Sequence, residues 1–227
     1  MSDDHRPASA HTDSRSGSRW PLWARLVQLL GGLLLYGTSA ALHVRSDLGL
    51  GPWDVLHQGL ARHTNLAIGT WSILVGAAVL LLWIPLRQRP GIGTLCNVVL
   101  IGLSLNLALG ILPVASGLVQ RWLYLGGGVV LCGVATGAYI GAGLGPGPRD
   151  GLMVGLAKRR HSLRVVRTSI ELTVLIAGAL LGGTVGVGTV LYAVSIGPLA
   201  HLTIPAFSRA LSPGRPQPPE VTGQAKG

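Results

Sequence analysis

Charge is what this chain has least of. Asp, Glu, Lys and Arg make up 11% of its 227 residues, against about 25% in an ordinary soluble domain. Aromatic residues are only 5%. Two cysteines staple almost nothing, so a disulfide scaffold is excluded. No Gly-X-Y period accompanies the 34 glycines, which excludes a collagen-like chain. Carboxylates are the rarer sign, 8 against 18 Lys and Arg, for a formal charge of +10. A soluble nucleic-acid-binding domain would share that balance, but not a mean hydropathy of +0.51. No Walker loop, nucleophile elbow or His-Glu zinc motif is present, and no Gly-x-Gly introduces a βαβ unit. An enzyme, a cofactor, a metal and a nucleic-acid partner are therefore not expected. A membrane protein is.

The uncharged stretches give the architecture. None of the four charged residue types occurs in Leu26–Val44, His63–Leu86, Pro90–Gln120, Trp122–Pro148 or Leu172–Ser208. Roughly 20 apolar residues cross a ~30 Å hydrocarbon core as a helix, so each of the first four runs fits one crossing. The fifth is too long for one helix. It contains the turn-forming Gly182-Gly183-Thr184-Val185-Gly186-Val187-Gly188 and holds most of one helix and all of the next. The expectation is an all-α bundle of six transmembrane helices near 24–44, 66–86, 92–113, 122–143, 164–182 and 187–207. The runs do not alternate apolar with polar, which argues against a β-barrel. Polar tails at 1–19 and 212–227 read as disordered.

Lys and Arg set the orientation. With the N-terminus in the cytoplasm, 15 of the 18 basic residues fall on the cytoplasmic side, leaving Arg45, Arg62 and Arg121 outside. Both termini are then cytoplasmic. The first helix resembles a signal peptide in its basic flank, but its 19-residue uncharged run is longer than a typical signal core.

The chain also repeats itself. Leu48-Gly49-Leu50-Gly51-Pro52-Trp53-Asp54 recurs 96 residues later as Leu144-Gly145-Pro146-Gly147-Pro148-Arg149-Asp150. Upstream, Gly31-Gly32 and Gly37 match Gly127-Gly128 and Gly133. Downstream, Gly91-Ile92-Gly93-Thr94 matches Gly186-Val187-Gly188-Thr189, now at an offset of 95. The repeats span 20–117 and 118–211. Three crossings per repeat is an odd number, so the second copy enters the membrane upside down. That is the architecture of many secondary transporters.

These motifs, with Gly147-Pro148-Arg149-Asp150-Gly151-Leu152 and Gly182–Thr189, resemble the YczE branch of the bacterial YitT/YczE membrane-protein family. The likeness covers about 25–207. It implies a bacterial plasma-membrane protein of five or six helices and carries over no catalytic residues.

Each Gly-Pro-x-Asp element reads as a helix start. Pro52 and Pro148 suit the first helical position, and Gly49, Gly51, Gly145 and Gly147 allow tight turns before it. Short helices are expected near 53–61 and 149–159, interfacial or re-entrant. Asp54 and Asp150 either cap these helices or bind a cation, and the helix starts could hold an anion. Trp53 reads as an interfacial anchor in preference to a stacking platform, and Arg149 suits the cytoplasmic side.

Glu171 is the one acidic residue inside an expected crossing and a functional candidate by that position. The alternative is a surface pair with Arg167. Asn106 and His201 are equivalent in the repeat, and either line a cavity or bond between helices. Glycines spaced by four, Gly133, Gly137 and Gly141, predict close packing of the first and fourth crossings. The functional expectation is a small-solute permease working by alternating access, alone or as a homo-oligomer in the lipid bilayer, with a non-transporting scaffold as the alternative.

Overall fold

The computed structural model describes residues 20–157 and 162–210. The two tails expected to be disordered, and the last two residues of the expected 149–159 helix, lie outside these. The described chain is all-helical, with eight helices: α1 (Leu22–Ser46), α2 (Pro52–Arg62), α3 (Ile68–Trp83), α4 (Ile92–Ile111), α5 (Leu118–Gly141), α6 (Pro148–Ala157), α7 (Leu163–Leu180) and α8 (Val187–Ala210). Every expected helix is present within a few residues of its place. Four of them, α1, α4, α5 and α8, are long and apolar enough to cross a membrane. Two expected crossings fall short of that standard. At 16 residues α3 is about 24 Å long, and α7 carries Arg164, Arg167 and Glu171 within its 18 residues.

The molecule buries polarity and exposes grease, the reverse of a soluble fold. Ser39, His43, His57, Ser72, Thr94 and Ser104 are buried, whereas Ile84, Ile111, Leu180, Val194 and Leu202 point outward. Such a surface is at rest only in an apolar solvent.

Helices α1 and α5 form the central pair and run antiparallel. Gly32 lies against Ala138 and Tyr139, while Gly128 lies against Ser39 and His43. The Ser39 hydroxyl donates to the Gly128 carbonyl at 2.9 Å. The stripe Gly133, Gly137 and Gly141 serves a different interface from the one expected. It seats α8, through Leu199, Thr203 and Phe207, and Gly37 likewise seats α4 through Ser104 and Leu105. The α1–α5 contact instead uses Gly32, Gly128 and Ala135. A four-residue spacing marks one face of a helix, and a helix between two neighbours has more than one such face to offer.

The remaining contacts come in matched pairs. The Trp83 ring of α3 covers Gly151 of α6, and Val55–Leu56 of α2 cover Gly178 of α7. Trp83 and Gly178 are equivalent at an offset of 95, as Val55 and Gly151 are at 96. The bulk sits on opposite partners in the two copies, so each junction closes with one large and one absent side chain. Val79 and Val174, also equivalent, share one apolar cluster with Trp53, Trp83 and Leu152.

Candidate functional site

The two Gly-Pro-x-Asp loops hold the halves together by reaching across to each other's half. The Gly188 N–H donates to the Leu48 carbonyl at 2.8 Å, and the equivalent Gly93 N–H donates to the Leu144 carbonyl at 2.9 Å. The first loop thus docks on the start of α8 and the second on the start of α4. Gly49 and Gly145 have φ of +120° and +131°, the region that favours glycine. They also leave no room for a side chain: a Cβ on Gly49 would lie 2.7 Å from the Gly186 nitrogen, and one on Gly145 would lie 2.8 Å from Thr94 Oγ1.

This exchange brings the first turns of α2 and α6 face to face at the middle of the molecule. The Arg149 guanidinium lies over the Trp53 ring, 4.9 Å from its centroid. These two residues occupy the same position of the two motifs. Trp53 is 8% exposed, so it is a stacking platform and not the interfacial anchor expected. An indole ring offers a cation its negative face, and the contact strengthens as water is excluded.

The carboxylates stand beside this stack. Asp54 lies 3.3 Å from Nδ1 of His57, which is wholly buried. Asp150 accepts a hydrogen bond from the Tyr139 hydroxyl at 3.2 Å. Both stand in the first turn of their helix as expected, at the positive end of its dipole, with His57 and Tyr139 as their side-chain partners. Tyr36 extends the second group: its ring meets Tyr139 edge-on at 6.1 Å, and its hydroxyl is 3.4 Å from that of Tyr192.

A cavity of about 540 Å³ opens here, and a second of about 170 Å³ adjoins it. Both are bordered by Trp53, Arg149, Arg167, Glu171 and Tyr192, with Asp150 in the larger chamber and Asp54 in the smaller. The larger extends along α8 past Ala200 to Ile204 and Pro205.

Its existence follows from a difference between the repeats. In the first half α3 packs closely on α4. Gly69 and Gly102 stack carbonyl against α-carbon, Gly76 faces Val98, and Ser72 is buried. In the second half α7 and α8 barely touch among the described residues. The α7 residues equivalent to Gly69, Ser72 and Gly76 are Arg164, Arg167 and Glu171. Small residues let two helices close; of the three long charged side chains, Arg167 and Glu171 border the gap between the corresponding pair. Gly197, the counterpart of Gly102, accordingly has nothing within 4 Å of where its Cβ would be.

Of the residues singled out from sequence, Asp150, Glu171 and His201 border the larger cavity, and Asp54 the smaller. Glu171 is also paired with Arg167 at 3.0 Å, the alternative that the sequence offered for it. Asn106 does not join the site. Its side-chain oxygen accepts from the Gly69 N–H at 2.9 Å, tying α4 to the first turn of α3. It borders neither cavity because in its half that seam is shut. Sequence reasoning missed Tyr36 and Tyr139. The scarcity of tyrosine, four residues in all, and the place of Tyr139 as the repeat counterpart of His43 were the available signals.

The chain is 45% identical over 182 residues to an "Uncharacterized protein" of Haemophilus influenzae, covering 80% of this chain and 84% of the relative. It is 37% identical to the "Uncharacterized membrane protein YczE" of Bacillus subtilis, over 79% and 84%. Identity to YyaS of the same organism is 27%, over 78% and 91%. The resemblance to YczE read from the motifs is therefore borne out. No solved structure matches. With four long apolar helices and these relatives, this is a multi-pass membrane protein. A family profile described as "Family of unknown function (DUF6198)" matches residues 23–205, and the chain belongs to that family.

Proposed function

We propose that this protein is a secondary transporter of a small solute, working by alternating access, and not an enzyme. The observation that carries the reading is the difference between two equivalent helix pairs: α3 and α4 are sealed, while α7 and α8 stand apart over a cavity of about 540 Å³ lined by both halves. In an inverted repeat, exchanging the conformations of the two halves moves the opening to the other side of the membrane.

The reading takes six crossings, with α3 and α7 as the short ones and α2 and α6 as half-helices between them. Antiparallel packing of the equivalent helices α1 and α5 supports the inversion. The end of the bundle holding the start of α1 and the end of α5 carries Arg25, Arg87, Arg89 and Arg164, and faces the cytoplasm of a bacterium. At the opposite end each arginine is tied down. Arg45 donates to the Leu109 carbonyl, Arg62 to that of Gly182, and Arg121 is 3.4 Å from Asp47. The cavity extends toward the basic end, so this conformation is open to the cytoplasm. The six-residue segment between α7 and α8, which holds Gly182, Gly183 and Gly186, is the hinge.

Transport through this site can be tested before the solute is known. A single cysteine is introduced as Gly197→Cys with Cys96 and Cys132 replaced, and reacted with a membrane-impermeant maleimide in inside-out and right-side-out vesicles. Alternating access predicts labelling from both faces. Labelling from one face only supports the scaffold alternative and overturns the proposal.

A further inference from the structure

We infer that the cavity takes an amino-acid-like zwitterion, a small solute carrying one carboxylate and one ammonium group. The inference rests on the reading of this cavity as the solute site and adds the class of solute.

The charges around the two chambers sort themselves. Arg167 and Glu171 neutralise each other at 3.0 Å. Asp54 borders only the smaller chamber, where it lies 3.3 Å from the buried His57. In the larger chamber two groups are left, Arg149 and Asp150. Among the described residues Arg149 has no carboxylate within 4.0 Å; its partner is the face of Trp53. Among the same residues Asp150 has no cation within 4.0 Å; its partner is the neutral Tyr139 hydroxyl. They are adjacent in sequence, and side chains one residue apart on a helix point about 100° away from each other. They therefore face the cavity as separate charges of opposite sign.

That arrangement selects its ligand by charge. An ionised group held away from water is unfavourable until it is paired. A simple anion would satisfy Arg149 and leave Asp150 alone, and a simple cation would do the reverse. A zwitterion satisfies both and brings no net charge into the bilayer. The surroundings of each group match: the ammonium lies against the Tyr139 and Tyr36 rings beside Asp150, where aromatic faces attract a cation, and the carboxylate meets the Arg149 fork. Across the cavity Ile196, Ala200 and Ile204 of α8 offer an apolar wall for a side chain. The volume of about 540 Å³ is within the roughly 300–1,000 Å³ of small-molecule sites.

The test uses the full-length protein in lipid nanodiscs and reads thermal unfolding, which a bound ligand raises by mass action. The probes are the common free amino acids, with leucine compared directly with isopentylamine, its decarboxylated form, and 4-methylpentanoate, its deaminated form. The expected result is a concentration-dependent rise with at least one amino acid and a much weaker response to the matching amine and acid. In Arg149→Gln the amine becomes as effective as the amino acid, and in Asp150→Asn the acid does. If either variant fails to fold, the wild-type panel alone decides. A singly charged solute that stabilises as well as the zwitterion, or no response to any amino acid, overturns the inference. The two readings fail separately: two-sided labelling of Gly197→Cys with no amino-acid response keeps transport and discards the zwitterion, whereas amino-acid stabilisation with one-sided labelling does the opposite.

Discussion

Gly102 and Gly197 are repeat counterparts at an offset of 95, and the same substitution should act on them unequally. A Cβ on Gly102 would overlap the Gly69 carbonyl and crowd the Ile73 side chain, with α3 and α4 already in contact. A carbonyl cannot rotate out of the way, so the helices must part. Overpacking of this kind costs about 1–3 kcal/mol, and a backbone neighbour places it toward the upper end. Alanine returns roughly 1 kcal/mol of helix propensity, leaving Gly102→Ala about 2 kcal/mol less stable than wild type. At Gly197 nothing lies within 4 Å. There the gain in propensity, about 1 kcal/mol, is offset by the ring of the following Pro198, which crowds a Cβ on the residue before it, so Gly197→Ala should be near neutral. The two variants should differ by about 2 kcal/mol in reversible unfolding by SDS titration in mixed micelles. Equal effects would refute the claim that one seam is sealed and the other open.

Gly49→Ala and Gly145→Ala should each cost about 2–5 kcal/mol by the same measurement. Positive φ disfavours alanine by roughly 1–2 kcal/mol, and the cross-half contact adds about 1–3; Gly31→Ala, with open space around it, is the control and should be near neutral. Asn106→Ala should lower stability by about 1–2 kcal/mol, the cost of leaving the Gly69 amide without its acceptor, while two-sided labelling of Gly197→Cys persists. Glu171→Gln should change stability by less than about 1 kcal/mol, because its pair with Arg167 is part-exposed at i,i+4. Arg167→Ser with Glu171→Gly gives α7 the small residues that α3 carries at these places, and should slow alkylation of Gly197→Cys several-fold as the seam closes.

Much of the fold was legible because apolar length and missing charge are one-dimensional signals. Runs such as Trp122–Pro148 announce a crossing without reference to anything else. The repeat was legible for a related reason: Gly49, Pro52 and Asp54 recur because one backbone geometry is built twice. Partner choice was not. Gly133, Gly137 and Gly141 predict a close-packed face, but nothing in their spacing says whether α1 or α8 lies on it. Trp53 illustrates the limit for the site. A tryptophan beside a predicted surface turn reads as an anchor, and only the convergence of the two motifs places Arg149 over it. The asymmetry was within reach of the sequence. Aligning Gly69, Ser72 and Gly76 with Arg164, Arg167 and Glu171 shows a packing stripe replaced by charge. Glu171 stands out alone; its meaning comes from the residue it replaces in the other half.

Exchange between the two seams is the central claim, and paired distance measurements address it directly. Leu74 and Val99 on α3 and α4, and their counterparts Ser169 and Val194 on α7 and α8, are all exposed. With Cys96 and Cys132 replaced, spin labels on each pair in lipid nanodiscs report the width of each seam by double electron–electron resonance. The account predicts two populations for both pairs, with conditions that widen the α7–α8 distance narrowing the α3–α4 distance. A single fixed distance at both seams would contradict it.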